Sequence, residues 1–241
     1  MSFDRRVAAN ADELAATGAD IVAEVLRAKP SAALICATGR TPFGLYRELA
    51  ARVRRDEIDL DHARIFQLDE YVGVGDDDPR SLYRWLERDL LEPAGVARER
   101  VVRLHGDAPD LAEVCVRYDE AVHAAGGIDL AILGLGPNGH LGFNEPPSGA
   151  DAPTREVTLT PASIESSAGY WPDGLDVPPR ALTAGMTVLL GARRVLLVVA
   201  GAHKRSILRA ATHGPPTPEI PASLLAGAPA VTILCDAAAA G

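Results

Sequence analysis

The sequence predicts an α/β fold in which helices cover both faces of a mostly parallel sheet. Three observations carry the prediction. Short apolar runs bounded by turn residues recur along the chain. Stretches of helical period lie between them. The chain has 241 residues, 47% of them hydrophobic, which is enough to bury such a sheet as a single domain. Asn10 to Lys29 opens the series as a helix, with Leu14, Ile21, Val22 and Val25 on one apolar face. Ala32 to Ala37 follows as a buried strand. Pro42 to Arg54 is the next helix; Thr41 is a good N-cap for it, and Pro42 fits its first position. Ala63 to Leu68 is a second strand, followed by helices at Ser81 to Leu91 and Leu111 to Ala125. Strands at Asp129 to Gly134 and Arg194 to Ala200, a helix at His203 to Thr212, and a strand at Ala230 to Cys235 complete the set. Such runs suit strands buried on both faces. The tail, Ala237 to Gly241, is expected to fray.

Composition narrows the function. The net charge is −9, and basic residues occur as short pairs such as Arg5-Arg6, Arg54-Arg55 and Arg193-Arg194. No basic stripe for nucleic acid is present, and any anion site must be built locally. Cys36, Cys115 and Cys235 are far apart and odd in number, which argues against a disulfide framework or a thiolate metal site. His62, His105, His123, His203 and His213 show no metal-ligand spacing, so no metal is expected. No apolar run reaches membrane length. Met1 to Asn10 lacks the apolar core of a signal peptide, and the expected location is the cytoplasm. Residues 145–180 are rich in Pro, Ser, Gly and Asp with little periodicity. This stretch reads as an active-site lid over about 146–180.

Ligands of parallel sheets bind outside the carboxyl ends of the strands, which directs attention to three places. Ala37-Thr38-Gly39-Arg40-Thr41-Pro42 joins a strand to a helix; its amide groups and the helix dipole suit an anion, although an ordinary turn explains the residues equally well. Gln67-Leu68-Asp69-Glu70-Tyr71 ends a strand. Adjacent acids on extended backbone point to opposite sides, so one of them can face a cleft as a general base, or both can be a solvated turn. Gly134 to Pro146 matches G-x-G-x-x-G at Gly134, Gly136 and Gly139, but no strand ending in an acid follows about 20 residues later, as a dinucleotide site requires. The glycines suit a close approach of backbone to a small ligand. His140 and Glu145 bracket Phe143, and a carboxylate there can orient a histidine. Lys204, at the start of a helix after a strand, can reach a phosphate or stand in solvent.

The order of these motifs resembles the glucosamine-6-phosphate deaminase family, in the wider group that includes 6-phosphogluconolactonases. The resemblance runs through residues 37–42, Phe66 to Gly73, Gly136 to Pro146, Ala181 to Gly185 and Gly201 to Lys204, and its most specific string is His-x-x-Phe-Asn-Glu-Pro. It implies a Rossmann-like three-layer sandwich of the sugar-phosphate isomerase/deaminase type. It also implies conversion of D-glucosamine 6-phosphate and water to D-fructose 6-phosphate and ammonia, without cofactor. Asp69 would move a proton between C2 and C1, His140 would open the pyranose ring, and Glu145 would orient His140. Asn138 stands where many relatives carry Asp. Thr38, Gly39, Arg40, Thr41 and Lys204 would hold the phosphate. Some relatives place a phosphate-binding Arg where this chain has Gly169, in Ser166-Ser167-Ala168-Gly169-Tyr170-Trp171, and Arg40 is the candidate replacement. The chain stops soon after Asp236, where allosteric hexameric relatives continue, so activation by N-acetylglucosamine 6-phosphate is not expected. Monomer and homo-oligomer both stay open, as do a lactonase and a non-catalytic sugar-phosphate sensor; Tyr71, where lactonases carry Arg, and Glu145 speak against the lactonase.

Overall fold

The computed structural model describes residues 3–170 and 175–241. Its main sheet has seven strands, all parallel, in the order β1-β10-β9-β6-β2-β3-β5. These are β1 (Asp4–Ala8), β2 (Ala33–Cys36), β3 (Arg64–Gln67), β5 (Val101–Val102), β6 (Leu130–Gly134), β9 (Arg194–Val199) and β10 (Val231–Asp236). The five apolar runs are the five central strands. Side chains alternate between two cores, which is why both parities of each strand are apolar. Leu34, Cys36, Ile132 and Val198 pack toward α1 (Ala11–Ala28) and α2 (Phe43–Arg54). Ala33, Ile35, Leu133 and Leu197 pack on the other face, with Cys115 and Tyr118 of α4 (Leu111–Ala124) and Leu208 of α7 (Arg205–His213).

A second sheet escaped the sequence reading. It is antiparallel, in the order β4 (Asp69–Tyr71), β8 (Arg180–Thr183), β7 (Arg155–Thr158). Asp69 pairs with Thr183, and Thr183 with Arg155. Within the stretch expected to lack regular structure lie β7, the helix α5 (Pro161–Ala168) and the start of β8. Trp171 and residues 172–174 of that stretch lie outside the described residues. The predicted helix at 81–91 is α3 (Leu82–Leu86) continuing into a π-helical turn at Glu87–Leu91, and Met186–Leu190 forms the unpredicted α6. The tail does not fray. It forms α8 (Ala237–Ala240), capped by Asp236 Oδ1 on the Ala239 amide at 2.7 Å, with the Ala240 carbonyl accepting from Arg5 at 2.6 Å. No described helix is long and apolar enough to cross a membrane.

Candidate active site

β2 and β6 are neighbours, but the chain leaves β2 for β3 on one side and reaches β6 on the other. Loops diverge at such a switch point and leave a crevice at the carboxyl ends. A cavity of about 590 Å³ opens there. Thr38, Gly39, Arg40, Thr41, Asp69, His140 and Lys204 all line it. Asn138 and Glu145 do not line it; they stand behind His140.

One end of the cavity suits an anion. α2 begins at Phe43, and no side chain caps it. Thr41 is therefore not its N-cap, contrary to the sequence reading, because Pro42 already has helical backbone angles. Thr38, Thr41 and Pro42, the residue that leads into this uncapped first turn, line the cavity. Gly39 (φ +99°) and Gly201 (φ +95°) make the left-handed turns that bring the two loops together. Asp236 Oδ2 accepts the Gly201 N–H at 2.9 Å and fixes the second turn. Burial pushes the Lys204 ammonium below its ordinary pKa. Arg40 Nη2 donates to the Gly169 carbonyl at 2.6 Å, and its guanidinium lies over the Tyr170 ring, 5.2 Å from the centroid. The guanidinium thus sits beside Gly169 and Tyr170.

The other end holds the titratable groups. Asp69 is 6% exposed, and its Oδ1 is buried without a hydrogen-bond partner. Burial, with help from the Glu70 charge, pushes its carboxyl up to about 8. Glu70 points the other way, as the strand pleat requires, and turned out to be a structural anchor rather than a solvated acid. Its carboxylate accepts from the amides of Tyr71, Leu82 and Tyr83, from Ser81 Oγ and from Gln67 Nε2, at 2.9–3.0 Å. Burial raises its pKa, and the backbone donors oppose that rise. Glu70→Ala is expected to strand these buried donors and destabilise the fold by about 3 kcal/mol or more, read as a melting temperature roughly 6–12 °C lower.

His140 Nδ1 lies 3.5 Å from Glu145 Oε2 and 3.2 Å from Ser163 Oγ. Burial disfavours ionisation of Glu145, but the His140 hydrogen bond and charge, with donors from Ser163 and Asn138, outweigh it and hold the carboxyl at about 2. Asn138 Nδ2 donates to Glu145 Oε2 at 2.7 Å, and Asn138 Oδ1 accepts the His140 amide at 3.2 Å. The imidazole lies flat against Gly136: a Cβ there would be 2.2 Å from His140 Nε2. That glycine makes room for the histidine rather than for a ligand, whereas Gly134 has open space where a Cβ would stand. Phe143 and Tyr71 pack beside the site in a tilted pair with centroids 5.2 Å apart. Ser163, 1% exposed on α5, was missed by the sequence reading; no periodicity marks that helix. Among the described residues no group of three His, Cys, Asp or Glu could hold a metal ion.

Comparison with known proteins agrees with this architecture. The chain is 40% identical over 223 residues to a glucosamine-6-phosphate deaminase of Streptomyces coelicolor, covering 92% of this chain and 85% of that protein. It is 36% identical over 234 residues to one of Thermoanaerobacter pseudethanolicus, covering 97% and 92%. The structure superposes on a monomeric glucosamine-6-phosphate deaminase with a TM-score of 0.95 at 34% identity, over 99% of both chains. A 6-phosphogluconolactonase of Trypanosoma brucei shares the fold, with a TM-score of 0.75 at 21% identity over 99% and 98% of the chains. With residues 5–233 matching the model of glucosamine-6-phosphate isomerases/6-phosphogluconolactonase, the chain belongs to that family.

Proposed function

We infer that the chain is a glucosamine-6-phosphate deaminase, which isomerises and deaminates D-glucosamine 6-phosphate with water to give D-fructose 6-phosphate and ammonia. The observation that carries this reading is the unpaired, buried Asp69 carboxyl in one cavity with the His140–Glu145 pair and a cradle of anion-binding groups. The phosphate binds to the amides and hydroxyls of residues 38–41, to Arg40 and to Lys204. His140 Nε2 takes the proton of the C1 hydroxyl as the C1–O5 bond breaks. The O–H electron pair becomes the second C1–O bond, the C1–O5 pair stays on O5, and O5 takes the proton back from the imidazolium. Glu145 keeps its charge throughout and offsets that of the imidazolium. Asp69 then removes the C2 proton while a proton of the substrate ammonium passes to O1; the enolamine takes the C2 proton back at C1 on the same face, which leaves a C2 iminium. Water adds at C2, one of its protons passes to nitrogen, and the C2–N pair leaves with ammonia as the C2 carbonyl forms. Asn138 anchors the loop and the carboxylate rather than touching substrate.

The substrate's ammonium places a positive charge beside Asp69 and so favours the ionised base. Residues 1–241 act as one α/β domain, with about 146–180 as its lid; α5 and its C-terminal turn place Ser163, Ser166, Ser167 and Tyr170 in the cavity wall. The site of action is the cytoplasm, with no nucleic-acid or membrane partner. Ammonia release from a panel of amino-sugar phosphates tests the reading; activity only on a 6-phosphogluconolactone would overturn it. Arg40→Ala is expected to raise KM for the phosphorylated sugar about 10-fold or more, with kcat little changed, through loss of one charge-assisted phosphate contact. An unchanged KM would remove Arg40 from the phosphate site.

A further inference from the structure

We propose that Ser163 is the positioning residue that sets the tautomer of His140, its hydroxyl linking the imidazole to Glu145. The inference rests on the deaminase reading for its consequence in turnover, but its geometry is independent of the substrate. Ser163 Oγ is 3.2 Å from His140 Nδ1, nearer than Glu145 Oε2 at 3.5 Å. That carboxylate oxygen already accepts from Asn138 Nδ2 at 2.7 Å and from Thr160 Oγ1 at 3.2 Å. The oxygen facing the ring therefore serves two other donors, and the atom closest to Nδ1 is a hydroxyl. Thr160 Oγ1 stands 3.1 Å from Ser163 Oγ and caps α5 by accepting the Ser163 amide at 3.3 Å, so the serine is held on a helix rather than on a loop.

A hydroxyl can accept one hydrogen bond and donate another. Ser163 could donate to Nδ1 and leave the proton on Nε2, or accept from Nδ1–H and donate onward. The ionised carboxylate 3.5 Å from Nδ1 disfavours a ring lone pair on that side, so the serine takes the second arrangement, and its oxygen, the nearest acceptor, holds the proton on Nδ1. Ser163 Oγ stands 3.1 Å from Thr160 Oγ1, which donates to Glu145 Oε2 at 3.2 Å, and this hydroxyl pair completes the link. Nε2 is then left with its lone pair, on a ring that lines the cavity. Ring opening needs an acceptor there. Asn138 cannot perform this task, because its carbonyl is committed to the His140 backbone amide. With an amide at position 138 in place of a second acid, the polar contacts of the ring among the described residues are Ser163 and Glu145.

The test uses Ser163→Ala, Ser163→Cys and Ser163→Thr in the full chain. Long-range ¹⁵N spectra of the imidazole in the substrate-free protein read the tautomer directly. Alanine is expected to raise the Nε2–H population and to lower kcat about tenfold or more, with KM within about twofold. Cysteine keeps the volume but not the strong acceptor, and is expected to do the same; it decides the matter if the alanine variant fails to fold. Threonine restores the hydroxyl and is expected to restore both readouts. An unchanged tautomer in the alanine and cysteine variants overturns the proposal, and so does a loss confined to KM. If the wild-type protein releases no ammonia from glucosamine 6-phosphate, the functional reading fails while the spectra still decide the role of Ser163.

Discussion

Asp69→Asn is expected to lower ammonia release about a thousandfold and, in the same protein, to raise the melting temperature. Both effects follow from one buried carboxyl. Turnover needs a base that removes and returns a proton, and an amide cannot do so; general-base catalysis of this kind contributes about 10²–10⁴-fold. The stability effect has the opposite sign. Burial raises the Asp69 carboxyl from 3.8 to about 8, so the folded state binds more protons than the unfolded state between those two values. Stability is therefore lost as pH rises from the unfolded pKa to the folded one. The penalty is absent below the first and complete above the second. Each pKa unit corresponds to about 1.4 kcal/mol. Part of the gain is offset because the asparagine amide must find partners where Oδ1 has none. A net gain of about 2 kcal/mol, or roughly 4–8 °C in a chain of this size, is expected near pH 8, shrinking as the pH falls. The wild-type kcat/KM should fall with acidification through an apparent pKa well above the carboxylate range, since this parameter reports the free enzyme. Melting curves and rate profiles across pH check both halves. Substantial ammonia release by the asparagine variant would remove Asp69 from the chemistry.

The same buried carboxyl shows what could be read in the sequence. Asp69 was legible because a strand as apolar as Ala63 to Leu68 has to end at the ligand face of a parallel sheet. Thr38 to Thr41, His140 and Lys204 were legible for the same reason. The antiparallel sheet was not, because its strands read as Asp-Glu-Tyr and Arg-Glu-Val-Thr. Their strand character comes from pairing with residues more than a hundred positions away in the case of Asp69 and Thr183. A polar sequence forms a strand there because partners are supplied, not because of its own propensity. Glu70 was read as half of a possible solvated acidic pair; only the fold brings the N-terminus of α3 over it. Ser163 and Thr160 carry no local signal either, because short hydroxyl side chains gain their meaning from the groups that face them.

Gly136→Ala is expected to cost nearly as much activity as removal of the histidine it touches, about a hundredfold in kcat. The reason is space rather than backbone freedom. A Cβ at 136 would lie 2.1 Å from Cδ2, 2.2 Å from Nε2 and 2.4 Å from Cγ of His140. Contacts that short do not occur, so the ring or the loop must move. The loop resists: the Gly136 amide donates to the His140 carbonyl at 3.0 Å and the Gly139 amide to the Gly136 carbonyl at 3.1 Å, closing a tight turn. The ring is the softer part, and turning it takes Nε2 from the cavity and Nδ1 from Ser163 and Glu145. A double-mutant cycle separates this from general damage to the loop. In a His140→Ala background the new methyl group has room, and Gly136→Ala should lower the residual rate by less than about threefold. KM should change little in either background, since the proposed phosphate cradle lies on the loops after β2 and β9. A second hundredfold loss in the His140→Ala background would mean that Gly136 acts through the loop and not through the imidazole.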